Sequence, residues 1–317
     1  MSKLIDMHCD TMLEAWRMNK PLKDIDLSIN LDLLKESDCM AQFFAVFMSP
    51  REQKYMTAWE LFGKVHSYYE EQLKNFGDII APVLYREDIE QNSKAGKVSS
   101  FLTIEDGVLL EGEIERLHKV FDMGVRLITL TWNFENSIGY PCNDDPKKNA
   151  MGLKDFGIDV VREMNNLGML VDVSHGSEQL FFDVCKYSDK PFVASHSCAK
   201  SLCGHRRNLT DVQLKELGNK GGVVGVNFEK SFLRDDGEPA TFDVIIKHLL
   251  YMKSKAGIDA LGFGSDFDGI EDNGELKNYS GFKVLLDRMQ DHFTDDEIDK
   301  ISHENALRVI KDVLPSK

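Results

Sequence analysis

The sequence predicts a (β/α)8 TIM-type barrel built as a single domain over residues 1–317. Three observations lead there. Apolar runs of strand length recur along the chain, eight in all, with helix-patterned stretches between nearly all of them. The run Gln42-Phe43-Phe44-Ala45-Val46-Phe47-Met48 lacks apolar/polar alternation, as a strand buried on both faces of a parallel sheet should. The length suits one barrel with insertions, and no linker or composition break divides it.

The elements follow in order. Residues 4–9 form the first strand and 12–18 a short helix or loop; 42–48 form the second strand. Residues 57–76 are helical, with Trp59, Leu61, Phe62, Val65 and Tyr69 spaced as one buried stripe; His66, in the same helix, is expected to be structural or exposed. A third strand, 98–104, ends in Glu105-Asp106-Gly107, and an amphipathic helix over 113–122 leads to the strand 125–131 and then Trp132-Asn133. After a loop with Pro141, Asn143 and Pro146 comes a helix over 153–167, closed by Gly168 as its C-cap. Strand 169–173 runs into Ser174-His175, helix 178–187 into strand 191–197, and Thr210 caps a helix reaching residue 217. Strand 222–228, helix 242–256 and strand 260–264 complete the eight, the last ending in Ser265-Asp266-Phe267-Asp268-Gly269. Helices over 281–292 and 294–314 close the chain.

Composition narrows the function. A formal net charge of −15 argues against nucleic-acid partners and against anionic membrane surfaces. No stretch approaches the roughly 18–20 apolar residues of a spanning helix. The N-terminus has one Lys and a short apolar run leading directly into His8 and Asp10, unlike a signal peptide. The six cysteines lack zinc-finger spacing, so reduced thiols in a cytoplasmic protein are expected.

Candidate ligands collect at the strand ends. His8, Asp10, Glu105, Asn133, His175, His196 and Asp266 all sit at or just past the C-terminal end of a strand. Barrel enzymes build their active sites on that face, where loops converge and strands hold side chains rigidly. Alternation along a strand puts His8 and Asp10 on one face, and Cys9 on the other as a small core residue. Taken singly, His175 or His196 would more often be a cap or a hydrogen-bonded core histidine, and Glu105 a neighbour of a helix N-terminus. Together, three imidazoles and three carboxylates exceed the needs of one ion. They suit two divalent cations about 3.5–4 Å apart, bridged by a carboxylate and a hydroxide. Nitrogen and oxygen donors without thiolate point to zinc, with manganese or cobalt tolerated. The reaction class is metal-assisted hydrolysis of an amide or ester, with phosphoesters behind.

The chain resembles the membrane (renal) dipeptidases, binuclear zinc peptidases of the amidohydrolase superfamily. The resemblance spans nearly the whole sequence and rests on motifs in order: Asp6-Met7-His8-Cys9-Asp10-Thr11, Ile104-Glu105-Asp106-Gly107, Gly124-Val125-Arg126 with Leu130-Thr131, and Val171-Asp172-Val173-Ser174-His175. Further on stand Ser195-His196-Ser197, Arg206-Arg207-Asn208, the run from Gly262 to Gly269, and Glu304-Asn305-Ala306-Leu307-Arg308-Val309. It implies that His8 and Asp10 bind one zinc, His175 and His196 the other, and that Glu105 bridges them. It puts Asp266 in the place of the acid/base and Arg207 in that of the arginine gripping the substrate's C-terminal carboxylate. Asp268 is expected to structure its loop and Arg206 to be a supporting charge.

One departure matters. Many members carry a histidine that stabilises the oxyanion where this chain has Trp132, followed by Asn133. Either Asn133 donates in its place or the substrate range has shifted, with Trp132 lining the pocket. Cys203 falls where secreted members have a disulfide cysteine, but no partner stands near residues 232–235, so it should be free. The implied activity is a soluble dipeptidase, including toward dipeptides ending in a D-residue. Hydrolysis of N-acyl-amino acids, lactones or β-lactams is the alternative. A catalytically dead scaffold would require a missing group, and none is missing. The expected partner is a small dipeptide, with no nucleic acid or membrane, and a homodimer is left open.

Overall fold

The computed structural model describes residues 3–317. Among them run nine strands: β1 (Leu4–Cys9), β2 (Cys39–Phe47), β3 (Ile80–Pro82), β4 (Val98–Glu105), β5 (Val125–Thr129), β6 (Leu170–Asp172), β7 (Val193–Ser197), β8 (Val223–Val226) and β9 (Leu261–Phe263). All pairings between them are parallel. Eight close into a ring, because β2 pairs with both β1 and β4 while β9 returns to β1. These are the eight strands expected from sequence, so the chain is a (β/α)8 barrel. The ninth, β3, pairs only with the start of β4 and lies outside the ring. Three residues ending in Pro82 are too few to show a strand pattern.

Most helices fall where the sequence puts them, including Ala58–Asn75, Glu178–Tyr187 and Phe242–Ala256. Gly168 takes the left-handed C-cap of Asp155–Leu167. The single helix expected over 294–314 is corrected: a π-turn, Lys300–Glu304, separates Asp295–Asp299 from Asn305–Val313. Apolar spacing continues across the break, so periodicity does not reveal the wider turn.

Two apolar clusters position the site. One lies between the barrel wall and its helices; the other fills the lower barrel with Ile5, Met7, Phe43, Phe101, Leu127 and Val193. The closing helix Asn305–Val313 presses Ala306, Val309, Ile310 and Val313 onto that second cluster and plugs the bottom. Polar side chains are thereby left for the upper mouth. Register shifts in β1 between Asp6 and Cys9, and in β7 between Ala194 and Ser197, break strict alternation just below the mouth. Such irregularities re-aim side chains without ending the strand.

Candidate metal centre

The expected ligands meet at the C-terminal mouth. His8 Nε2 lies 3.6 Å from Asp10 Oδ2, 3.8 Å from Glu105 Oε2 and 3.6 Å from Asp266 Oδ1. Across the site, His175 Nε2 is 2.9 Å from Glu105 Oε1 and 3.1 Å from His196 Nε2. His196 Nε2 stands 3.5 Å from the same Glu105 oxygen. Glu105 therefore turns one oxygen to each histidine group. Two donors bound to one cation at about 2.1 Å with tetrahedral geometry stand about 3.4 Å apart, so these spacings suit shared cations.

Burial sharpens the point. His8, Asp10, Glu105, His175 and His196 are all buried. Among the described residues, His8 Nε2 and Asp10 Oδ1 are buried without a hydrogen-bond partner. Polar atoms left like this are costly unless something pairs with them, and a cation is a fitting partner for both. The electrostatics agree. Burial lowers the pKa of His8, but the carboxylates of Glu105, Asp10 and Asp266 outweigh it and lift it to about 10. Burial pushes Glu105 well above the usual carboxylate range and raises Asp266, and Asp10 adds to both. His175 and His196 are driven down by burial and by the positive charges of Arg207 and His8. Three carboxyl groups crowd a buried mouth where burial disfavours their charged forms, and bound divalent ions would favour ionisation.

Supporting residues fix each group. Asn133 Oδ1 stands 3.1 Å from His175 Nδ1; with Nε2 turned inward, Nδ1–H donates to that carbonyl. Asn133 thus uses its oxygen on His175, leaving its amide nitrogen as the end that can donate toward the cleft. Asn227 Nδ2 donates to Asp266 Oδ2 at 2.9 Å. Asp268 accepts from Thr11 Oγ1 at 2.6 Å and from the Ser28 amide at 2.8 Å, tying its loop to the first helix. Asp6 accepts from the Ser265 amide and hydroxyl at 2.8 and 2.7 Å, clamping β1 to the end of β9. Asn227 and Asp6 have no assigned role in the sequence reading; a polar residue inside an apolar strand is the signal that marks Asp6.

Above the centre opens a cleft of about 370 Å³, lined among others by Asp10, Glu105, Trp132, Asn133, His175 and Asp266. Trp132 is half-buried, with its ring 4.8 Å from Phe47 and 6.1 Å from His175. Arg207 is placed less simply. Its buried guanidinium lies 5.3 Å over the Phe232 ring and donates to the His196 carbonyl at 3.3 Å. It lines a narrow recess beside the cleft, shared with His175 and Ser197, rather than the cleft wall itself. Arg206 is exposed and pairs with Asp144 at 3.2 Å. His66 hydrogen-bonds the Met123 carbonyl far from the mouth. All six cysteines are free, and Cys203 donates to the Ser231 carbonyl and to Asp235.

A parallel barrel with histidines and carboxylates gathered at the C-terminal ends of its strands defines a metal-dependent hydrolase of the barrel class. The chain belongs to the membrane dipeptidase family, peptidase family M19, whose model matches residues 1–316. It is 30% identical over 339 aligned positions to an uncharacterized dipeptidase of Schizosaccharomyces pombe, covering 98% of this chain and 80% of that one. A solved dipeptidase described as an M19 metallopeptidase superposes with a TM-score of 0.91 at 25% identity, over 99% of both chains. A metallopeptidase from Rhodobacter sphaeroides, liganded with a phosphinate mimic of L-Ala-D-Ala, superposes with a TM-score of 0.90 at 25% identity, over 98% of this chain and 99% of that one. Among the described residues no helix is long and apolar enough to cross a membrane.

Proposed function

We propose that residues 1–317 act as one metallopeptidase unit that hydrolyses dipeptides, including those ending in a D-residue. His8 and Asp10 hold one divalent ion, His175 and His196 a second, and Glu105 both, with zinc the first choice for this donor set. When bound, the cations supply hydroxide near neutral pH and polarise the scissile carbonyl. The protein's own groups do the rest. Asp266, 3.6 Å from His8 and steadied by Asn227, takes the proton from the attacking water and gives it to the leaving amine. Arg207 pairs with the substrate carboxylate through its planar fork. Asn133 donates from its amide nitrogen and Trp132 walls the cleft beside the reacting carbonyl. The observation that carries this reading is Glu105, whose two oxygens face separate histidine groups. The D-residue is supported by the ligand of the Rhodobacter sphaeroides relative.

A matrix of L-Xaa-L-Xaa and L-Xaa-D-Xaa dipeptides, free and C-terminally amidated, tests it with metal-replete enzyme. Free dipeptides of both series should be cleaved and amides poorly. Arg207→Met should raise KM for free dipeptides ten- to a hundredfold, the equivalent of about 1.4–2.8 kcal/mol, while costing the amides little. Equal cleavage of amides and free acids by the wild type would rule out the dipeptidase reading.

A further inference from the structure

Beneath the mouth lies a buried polar chain that the ligand set does not account for. Asp172, at the end of β6, is fully buried and accepts four hydrogen bonds. Its Oδ1 takes the amides of Ser174 and Ser195, at 3.0 and 2.8 Å. Its Oδ2 takes the hydroxyls of Thr129 and Ser195, both at 2.6 Å. The Ser195 hydroxyl has one proton, and at 2.6 Å from a carboxylate oxygen that proton must point to Asp172, because two facing lone pairs would repel. Ser195 Oγ can then only accept from His196 Nδ1, 2.8 Å away, so Nδ1 carries hydrogen and Nε2 presents its lone pair to Glu105. Ser174 Oγ holds the His196 amide at 3.1 Å, fixing the backbone below the ring. Thr129, Asp172, Ser174, Ser195 and His196 are each at most 1% exposed, so water offers no alternative partner.

His175 lacks such a chain. Its Nδ1 rests on the half-buried Asn133 amide, which also lines the open cleft. The two imidazoles assigned to one cation are thus held unequally.

We infer that Asp172, acting through the Ser195 hydroxyl, is a positioning residue that fixes the tautomer and orientation of His196 for metal. The inference rests on the ligand assignment above. Metal ligation by histidine depends strongly on such outer partners, whose loss costs about 10–100-fold in affinity. Chelator-competition titrations with Zn²⁺ provide the test. Ser195→Ala should weaken one of two binding steps by about 10–100-fold, leave the other within threefold, and leave the metal-free protein cooperatively folded, with its melting temperature lowered by only a few degrees for the buried Asp172 and His196 groups that lose a partner. Ser195→Thr, which restores the hydroxyl, should recover the lost affinity. Both steps unchanged in Ser195→Ala, both weakened equally, or no rescue by threonine would overturn the inference. Nitrogen-15 spectra of the metal-loaded wild type provide a test independent of any variant: the His196 Nδ1–H should resist exchange with water longer than that of His175, and equal exchange overturns the inference. Failure of the ligand assignment itself looks different. His196→Ala would then leave both binding steps of the wild type intact.

Discussion

The two ends of the barrel are built by opposite rules. At the bottom, where helices turn into strands, left-handed backbone is given mostly to glycine, as at Gly124, Gly168 and Gly221 ahead of β5, β6 and β8, with Asp38 (φ 55°) ahead of β2 the exception. Glycine takes that conformation without a steric cost. At the mouth the same region is occupied by Asp106, His175, Asp266 and Asp268, with φ of 78°, 65°, 62° and 67°. Such residues cost on the order of 1 kcal/mol or more each. A glycine would remove the strain and the functional group together. The bottom also carries its own polar clamps: Asn305 donates to the Ile258 and Leu261 carbonyls at 2.8 and 2.9 Å, and Arg308 to those of Gly221 and Asp259 at 2.7 and 2.9 Å. The C-terminal motif thus serves closure, while the mouth accepts strain in order to place side chains.

The sharpest way to break this contrast is Asp266→Asn. If the mouth's strain serves chemistry, kcat should fall by several orders of magnitude while metal content and substrate binding persist. Unchanged turnover would remove Asp266 from the mechanism.

A smaller effect concerns the loops around the mouth. His248 is buried, accepting from the Ala199 amide at 3.2 Å and bonding the Leu233 carbonyl at 3.0 Å, so it ties the loops after β7 and β8. Burial lowers its pKa to about 4. The folded state therefore binds fewer protons than the unfolded chain, whose histidine titrates near 6.5. The stability it contributes is complete above about pH 6.5 and is lost as pH falls toward 4. Between pH 7 and pH 5 the loss should be about 2 kcal/mol. Denaturant unfolding of His248→Gln at both pH values should show a correspondingly flatter acid limb, and an identical limb would refute the assignment.

The smallest effect belongs to the bottom. A Cβ added at Gly221 would meet Arg308 Nη1 at 3.6 Å and Pro191 Cγ at 3.8 Å, both ordinary contacts, so Gly221→Ala isolates the conformational cost of its φ of 70°. It should lose about 1–2 kcal/mol of stability with kcat/KM unaltered. Lost activity without lost stability would mean that the two ends are not independent.

Much of this was legible in residue order. Eight strands and their polar ends are local patterns, and the candidate ligands are the residue types that metal chemistry demands. What escaped depends on pairing across the ring. Asp172 and Ser195 stand out as polar residues in apolar strands, yet their bond exists only because β6 lies beside β7. Asn133 meets His175 across 42 positions of sequence, so its carbonyl's partner could not be read from its neighbours. The short helix Leu31–Glu36 and strand β3 are too brief to show a period.

The ring closes where β1 meets β9, with Asp6 opposite Phe263 and Asp6 bonded to Ser265 across 259 positions. His8 stands on the first strand of the ring and Asp266 just past its last. A nascent chain halted anywhere before β9 holds its first histidine with no partner strand on one side and no Asp266 opposite it. The candidate site is therefore completed only once β9 is in place, and a chain without that strand cannot gather the full cluster.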